Sequence, residues 1–267
     1  MRGTVSPRLG VSVRPLPLRG VLALGRRSDI WYKPALSAVI ASAVPDLALL
    51  AAGRLDLALY TSAGSLVALY AHGRPYAARA RTLARVALLM LASLAVALGT
   101  AALTGDVAVR VAVAALLAAG HKLVCDATRI GPPGNVIFTF VASGCAFVPQ
   151  RLADVPGHLA LALAGAAISW LVCMAPALVR PDGPERLAVA RALEAVARVP
   201  QAAVRTPDGT ARPEDDDPAV RRARHDAAAA INAAWHTLLL VPPRAAGRRV
   251  PLERLVARAE SVLGGAS

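Results

Sequence analysis

Charged and aromatic residues are scarce in this sequence, where they make up only 18% and 4% of the 267 residues. Soluble domains average about 25% charged residues. The hydrophobic share is 56%, mostly Ala, Leu and Val gathered into long stretches. About 20 helical residues are enough to cross the hydrocarbon core of a bilayer. The composition therefore predicts an all-α, polytopic membrane protein.

Catalytic and metal-binding signatures are also missing. The sequence has no HExxH, no GxSxG and no Walker lysine loop, which are the local patterns of several large enzyme classes. Its three cysteines, Cys125, Cys145 and Cys173, lie far apart and form no CxxC or Cys/His pair. Neither a zinc site nor a disulfide framework is therefore expected. We expect no enzyme activity, no cofactor and no metal.

Six apolar segments define a predicted membrane domain over 33–178. They run over 35–53, 56–72, 84–104, 107–124, 133–149 and 158–178. Arginine and lysine are concentrated before the first segment and after the second, fourth and sixth. Under the positive-inside rule these are the cytosolic connections. The sequence predicts six transmembrane helices in the inner (plasma) membrane, with both termini cytoplasmic.

The excess of positive charge also bears on the partners. In a soluble protein a net charge of +13 would suggest nucleic acid as the first partner to consider. Here the basic residues follow the predicted membrane topology instead. We expect contacts with membrane lipids and no binding of nucleic acid.

The regions on either side of the membrane domain are polar. Residues 1–32 are predicted to form a basic cytosolic tail, and 179–267 a cytosolic helical region. Helices are expected over 181–200, 218–240 and 251–265, with a polar linker near 200–217. An acidic run, 214–217, closes the linker and could be taken for a metal site. Asp217 before Pro218 is a good helix N-cap pair, so capping is the favoured interpretation.

The first apolar segment contains Pro45 and Asp46 side by side. A carboxylate near the centre of a membrane helix costs about 2.5–3.5 kcal/mol on insertion scales, and such residues usually carry function, for instance by binding and releasing a proton. Pro45 has no N–H for the carbonyl of Ala41, which predicts a kink and a free acceptor. The alternative is that Asp46 lies nearer one membrane surface, where a neighbouring Ser or Thr bonds it.

The fifth apolar segment carries a polar stripe. Asn135, Thr139 and Ser143 recur every four residues and so share one face of a helix. Phe138 and the other two phenylalanines of the chain belong to the same segment. This face can line a path for an aromatic carboxylate, in a cavity between helices one, two and five. Alternatively, the small polar groups hold helices together.

Three further polar residues in the apolar segments have two possible roles each. Tyr60 either supplies a hydroxyl to the cavity or belongs to an interfacial aromatic belt. His121 and Lys122 lie near the predicted cytosolic end of the fourth segment. We expect them to anchor the helix at the membrane surface rather than to contact an anionic substrate.

Three stretches, 33–84, 131–147 and 221–235, resemble a known family. They contain an apolar helix with a central proline, a Gly-Arg turn with Asp, "SAGSLVALY", an Arg-rich loop, "GPPGNVIFTFVASGCAF" and "RRARHDAAAAINAAW". This pattern is similar to the fusaric acid resistance (FUSC) and aromatic acid exporter family of bacterial inner-membrane proteins. Asp46 departs from the family pattern, which usually stays apolar after the proline.

The resemblance implies export of small, often aromatic, organic acids, driven by the proton gradient. Longer family members carry a second membrane block, so it also implies that two or more copies assemble as a homo-oligomer. The competing hypothesis is a structural or regulatory membrane protein that recruits partners through its cytosolic helices.

Overall fold

In the computed structural model, residues 32–204, 218–242 and 246–265 are described, and this part of the chain contains helices and no strand. The helices are α1 (Tyr32–Ala51), α2 (Ala58–Ser65), α3 (Tyr76–Leu103), α4 (Val107–Thr128), α5 (Val136–Ala146), α6 (Val155–Met174), α7 (Pro176–Val179), α8 (Gly183–Val204), α9 (Pro218–Leu239) and α10 (Ala246–Gly265). The all-α prediction is thus confirmed for these ranges. The predicted tail, apart from Tyr32, and the predicted cap Asp217 lie outside them.

Four of the described helices are long and apolar enough to cross a membrane: Pro34–Ala51, Tyr76–Leu103, Val107–Thr128 and Val155–Val179. The second and fifth predicted segments form shorter apolar helices, Leu55–Leu69 and Val136–Ala146. At 11 residues, α5 is about 17 Å long, well short of a hydrocarbon core of about 30 Å. Prolines limit it: Pro133 precedes it and Pro149 follows it.

The second segment is not a regular α-helix. It consists of α2 between two 3₁₀ turns, Leu55–Leu57 and Leu66–Leu69. The 3₁₀ geometry has fewer residues per turn and weaker hydrogen bonds, so such stretches are short. Extended backbone at Tyr70 then ends the segment.

Hydrogen bonds between the helices show their directions. The side chain of Asp46 pairs with residues 61 and 62, while the carbonyl of Ala41 pairs with residue 65, so α1 and α2 are antiparallel. By contrast α2 and α6 are parallel, because residues 169 and 173 pair with 65 and 68 in the same order. Short connections, 104–106 and 129–135, join α3 to α4 and α4 to α5 as hairpins.

The start of α3 lies beside the end of α6. Arg79 donates to the carbonyl of Cys173, and the indole of Trp170 donates to the carbonyl of Ala80 at 3.3 Å. These two helices are therefore antiparallel. Successive segments from α1 to α6 thus alternate in direction.

One apolar core joins all six segments. In this core α2 and α6 cross closely, with Gly64 and Gly165 each facing the backbone of the opposite helix. Small residues at such crossings allow membrane helices to gain close van der Waals packing.

The C-terminal helices have a second core of their own. In α8 the buried residues Val189, Ala192, Val196 and Val199 follow the three-and-four spacing of a coiled coil, as do Ala227, Ile231, Ala234 and Leu238 in α9. Val256 and Ala259 of α10 complete this core. The helices predicted over 181–200, 218–240 and 251–265 are present, and α8 continues four residues past Pro200. The first part of the predicted linker is therefore helical.

Candidate functional site

Pro45 is buried and has no N–H to donate to the carbonyl of Ala41. This carbonyl accepts a hydrogen bond from another helix instead. The hydroxyl of Ser65, which is fully buried in α2, donates to the carbonyl oxygen of Ala41 at 2.9 Å. A buried carbonyl without a donor costs about 1–3 kcal/mol, so this bond offsets the loss that proline imposes. The sequence predicts a free acceptor at the carbonyl of Ala41. In the structure this carbonyl forms a hydrogen bond that joins α1 to α2.

Asp46 is held by two hydroxyl groups of α2. Thr61 donates to Oδ1 at 2.8 Å and Ser62 donates to Oδ2 at 2.9 Å. The residue is half-buried and lies five residues, or about 8 Å, before the end of α1. The Thr61 hydroxyl also lies 3.0 Å from the carbonyl oxygen of Ala58 in its own helix, so its single hydrogen has two possible acceptors.

This geometry matches the hydrogen-bonding part of the alternative interpretation of Asp46. Neighbouring Ser and Thr side chains do bond it, and it lies in the second half of the apolar helix rather than at its centre. The same two bonds also serve a group that changes its protonation, because hydroxyls both donate and accept. A proton-binding role for Asp46 stays a prediction.

Tyr60 is buried against neighbouring parts of the chain. It is only 5% exposed, and its ring stacks on that of His158 in α6 with 3.8 Å between the centroids. Gln150 donates its side-chain N–H to the Tyr60 hydroxyl at 2.6 Å. These contacts fasten α2 to the connection before α6.

The three residues of the polar stripe in the fifth segment, Asn135, Thr139 and Ser143, differ in their surroundings. Asn135 is the N-cap residue of α5 without a side-chain capping bond, and Ser143 is half-buried. Thr139 lies 3.5 Å from Nδ1 of His121. Phe138 is fully buried, whereas the other two phenylalanines of the segment are exposed. The stripe therefore faces α4 at Thr139.

His121 is the functional candidate that the sequence-based interpretation misplaced. It is only 2% exposed, so the predicted role as a surface anchor is wrong. Its Nε2 lies 2.6 Å from the hydroxyl of Ser93 in α3, and its ring lies 5.5 Å from that of Phe138. The helix continues to Thr128, which places His121 well inside it. The neighbouring Lys122 is exposed and pairs with Asp126 at 2.5 Å.

The predicted site residues thus fall into two groups. Pro45, Asp46 and Tyr60 belong to the contacts among α1, α2 and α6, while Asn135, Phe138, Thr139 and Ser143 lie on α5, which packs against α3 and α4. Tyr70 links the groups, since its hydroxyl donates to the carbonyl of Gly134 at 2.8 Å and its ring contacts Phe138. The cavity between helices one, two and five stays a prediction.

A charged cavity of about 200 Å³ lies where the C-terminal helices meet the start of α3. Its lining includes Tyr76, Asp182, Glu185, Arg248 and Arg249. Arg248 and Asp182 pair at 3.1 Å. Glu185 is 7% exposed, and its Oε2 has no hydrogen-bond partner among the described residues. Burial, followed by the nearby charge of Asp182, raises the pKa of the Glu185 carboxyl.

This raised pKa predicts a pH-dependent stability. The folded protein holds the Glu185 proton more tightly than the unfolded chain, so stability falls as pH rises above the ordinary pKa of glutamate. Glu185→Gln is expected to raise the free energy of unfolding at pH 8 by about 1 kcal/mol, the low end of the desolvation cost of a buried polar group, because the neutral amide removes the charge that burial disfavours. Thermal unfolding in detergent at pH 5, 6.5 and 8 measures it. Glu194→Gln, an exposed residue of α8, is the control, and an unchanged pH slope in E185Q would contradict the assignment.

Comparison with known proteins gives no match: no family model, no curated protein and no solved structure is similar to this chain. The resemblance to FUSC and aromatic acid exporter proteins therefore rests on the short stretches within 33–84, 131–147 and 221–235. The described helices by themselves identify a chain with four segments that are long and apolar enough to cross a membrane.

Proposed function

We propose that this protein is a proton-coupled transporter that exports small organic acids, including aromatic ones, across the inner (plasma) membrane. The observation that carries the proposal is the carboxylate of Asp46, held by the hydroxyls of Thr61 and Ser62 inside an apolar helical bundle. An ionisable side chain within a membrane helix is costly, and it commonly marks an ion or proton pathway.

Six crossings with both termini in the cytoplasm form part of the proposal. The alternating directions of the six segments support it, and so does the position of the arginines at the start of α3, at the same end of the bundle as the C-terminal helices. Both short helices pack on longer ones, α2 on α1 and α6, and α5 on α3 and α4, so protein lies along part of each of them.

The nature of the substrate and the assembly rest on the resemblance alone. Export of aromatic acids and assembly as a homo-oligomer are what the resemblance implies. Phe138, next to Thr139 on α5, is fully buried, and its ring contacts those of Tyr70 and His121; a place in the wall of the pathway is part of the proposal.

Asp46→Asn tests the proton role. The amide keeps the shape and most hydrogen bonds of the acid but binds no proton in this pH range. In proteoliposomes of the full chain, the accumulation of benzoate driven by a pH gradient, measured in excess of that in protein-free liposomes, is expected to fall at least about tenfold, since the coupling step is removed. Exchange of labelled for unlabelled benzoate, which needs no net proton movement, is expected to continue.

Asp56→Asn is the matched control, because Asp56 is exposed in the turn after α1 and pairs with Arg54. Driven accumulation by D46N at the wild-type rate and with the wild-type pH dependence would remove the proton role. A wild-type chain that neither accumulates nor exchanges any small organic acid would remove the transporter proposal itself.

The second candidate is a membrane protein that recruits partners through its C-terminal helices. The specific observation in its favour is the separate core of α8, α9 and α10. If the purified chain moves no acid while deletion of 184–267 abolishes its cellular phenotype, this candidate replaces the first.

A further inference from the structure

The six membrane segments form two sets of three, and each set follows a long, short, long pattern. In the first set the short α2 stands between the long α1 and α3, and in the second the short α5 stands between the long α4 and α6. Short or interrupted helices in corresponding positions of two halves are typical of transporters built from inverted repeats.

The packing follows the same scheme. The first helix of each set packs on the short helix of its own set and on the third helix of the other set: α1 on α2 and α6, and α4 on α5 and α3. The third helix of each set packs on the short helix of the other, α6 on α2 and α3 on α5, and α3 and α6 pack on each other. Exchanging the two sets therefore reproduces these contacts. An additional contact of α2 with α3 is not matched to the same extent by α5 and α6.

The two sets run in opposite directions. Directions alternate from α1 to α6, and each set has three helices, so α1 is antiparallel to α4 and α3 is antiparallel to α6. The exchange axis then lies in the plane of the membrane rather than along its normal. A residue near one membrane face in the first set corresponds to a residue near the other face in the second.

Asp46 and His121 occupy corresponding positions under this exchange. Asp46 lies five residues before the end of α1 and His121 seven before the end of α4, so each is in the second half of the first helix of its set. Each faces a hydroxyl of the short helix of its own set, Thr61 for Asp46 and Thr139 for His121. Each also follows a poor helix former, Pro45 or Gly120.

The hydrogen bonds of His121 leave its ring nitrogen Nδ1 able to bind a proton. The hydroxyl of Ser93 has one hydrogen, which it donates to the carbonyl of Leu89 at 2.7 Å, so the 2.6 Å contact with His121 needs a donor on Nε2. In the neutral ring Nδ1 is then the basic nitrogen, and it faces the hydroxyl of Thr139 at 3.5 Å. That hydroxyl can donate to the neutral ring or accept from the protonated one.

Other titratable groups near His121 are few in the described part of the chain. On α4 the buried thiol of Cys125 lies one turn after His121. The ring of Tyr70 contacts Phe138, whose ring in turn contacts that of His121. From α3 and α5 the facing polar groups are Ser93 and Thr139. No carboxylate among the described side chains bonds the ring, since the nearby Asp126 pairs with Lys122 on the exposed face.

We propose that α1–α3 and α4–α6 are inverted repeats and that His121 is the counterpart of Asp46, a second proton-binding residue toward the opposite membrane face. The proposal rests on the proposed proton-coupled transport. During transport a proton enters at one of the two groups and leaves by way of the other. Two hydroxyls of α2 hold Asp46, whereas His121 contacts Ser93 of α3 and lies 3.5 Å from the hydroxyl of Thr139 in α5.

His121→Gln is the first test, in proteoliposomes of the full chain with benzoate as the probe. Glutamine keeps a donor for Ser93 but binds no proton. Accumulation driven by a pH gradient is expected to fall at least about tenfold while benzoate exchange continues, as for D46N. His225→Gln, an exposed histidine of α9, is the control. Loss of exchange together with accumulation in a folded H121Q protein would indicate a structural role and overturn the proposal.

Two measurements do not depend on transport. Imidazole NMR signals of the full chain in nanodiscs, assigned to His121 by their loss in H121Q, are expected to report protonation of the ring as the pH is lowered. A ring that stays neutral throughout would overturn the proton role even if benzoate is transported. A reporter placed after Gly105 is expected on the side opposite to one after Ser267. The same side would mean two crossings per set and would overturn the inverted repeat.

Discussion

Replacing Gly64 with alanine is expected to lower the free energy of unfolding by about 3 kcal/mol or more, the upper range for overpacked sites. A Cβ at Gly64 would lie 2.8 Å from the backbone nitrogen of Ala166 and closer still to the carbonyl oxygen of Ala162. The obstructing atoms belong to the backbone of α6, so no side-chain rotation relieves the clash. The two helices have to separate.

Gly165→Ala is expected to have the same effect from the other side. Its Cβ would lie 3.1 Å from the hydroxyl of Ser65 and closer still to the carbonyl oxygen of Thr61. Thr61 is also a donor to Asp46, so displacement of this backbone disturbs the candidate site. Loss of the α2–α6 contact thus reduces both stability and the proposed transport.

The matched controls are Gly99→Ala in α3 and Gly144→Ala in α5. A Cβ at either position meets nothing within 4 Å, and alanine is favoured over glycine in a helix interior by about 1 kcal/mol. These variants are expected to unfold at or above the wild-type temperature in detergent. If G64A and G165A are as stable as these controls, α2 and α6 do not cross as described.

The second large effect is expected at Arg79, which is 7% exposed. Its guanidinium donates to the carbonyls of Ala71 at 3.1 Å, Cys173 at 3.3 Å, and His72. It also lies over the ring of Tyr76, at 5.0 Å from the centroid. Ala71 has a φ of 63°, a left-handed conformation that is strained for a residue with a side chain. Arg79 thus holds a strained loop to the end of α6.

Arg79→Met is expected to lower the free energy of unfolding by about 3 kcal/mol, because bonds to a charged group contribute about 1.5–3 kcal/mol each and are not additive. Arg79→Lys is expected to recover only part of this, since one amine cannot match the planar fork of guanidinium. Arg81→Ala is the control: Arg81 is exposed and bonds only within its own helix, to the carbonyl of Ala77. Equal melting temperatures for R79M and R81A would contradict this role of Arg79.

The positions of the helices were largely predictable from the sequence. Every predicted apolar segment contains a helix, because long runs of Ala, Leu and Val between turn residues favour one. The third helix begins at Tyr76 and not at residue 84. The stretch before residue 84 contains arginines, which are good helix formers but do not count in a search for apolar segments. The shortness of α2 and α5 was not predicted, because hydropathy measures apolar length and not helix geometry.

The candidate site was predictable only in part. Asp46 could be chosen from the sequence because a carboxylate among apolar residues is exceptional there. His121 could not, since a histidine next to Lys122 is typical of a membrane surface. A helical-wheel comparison was the available signal: His121 and Cys125 lie on the same face, one turn apart, and both are buried, whereas Lys122 points outward.

The sequence by itself determined that the chain is helical, where its apolar segments lie and how its positive charge is distributed, because these depend on composition and local spacing. Only the tertiary structure decided which polar groups meet. The hydroxyls of Thr61, Ser62 and Ser65 reach Asp46 and the carbonyl freed by Pro45, and Ser93 and Thr139 reach His121, across 15 to 28 residues of chain. Helix direction and crossing set these contacts, and the physical reason is that close packing at small residues fixes which faces of two helices can touch.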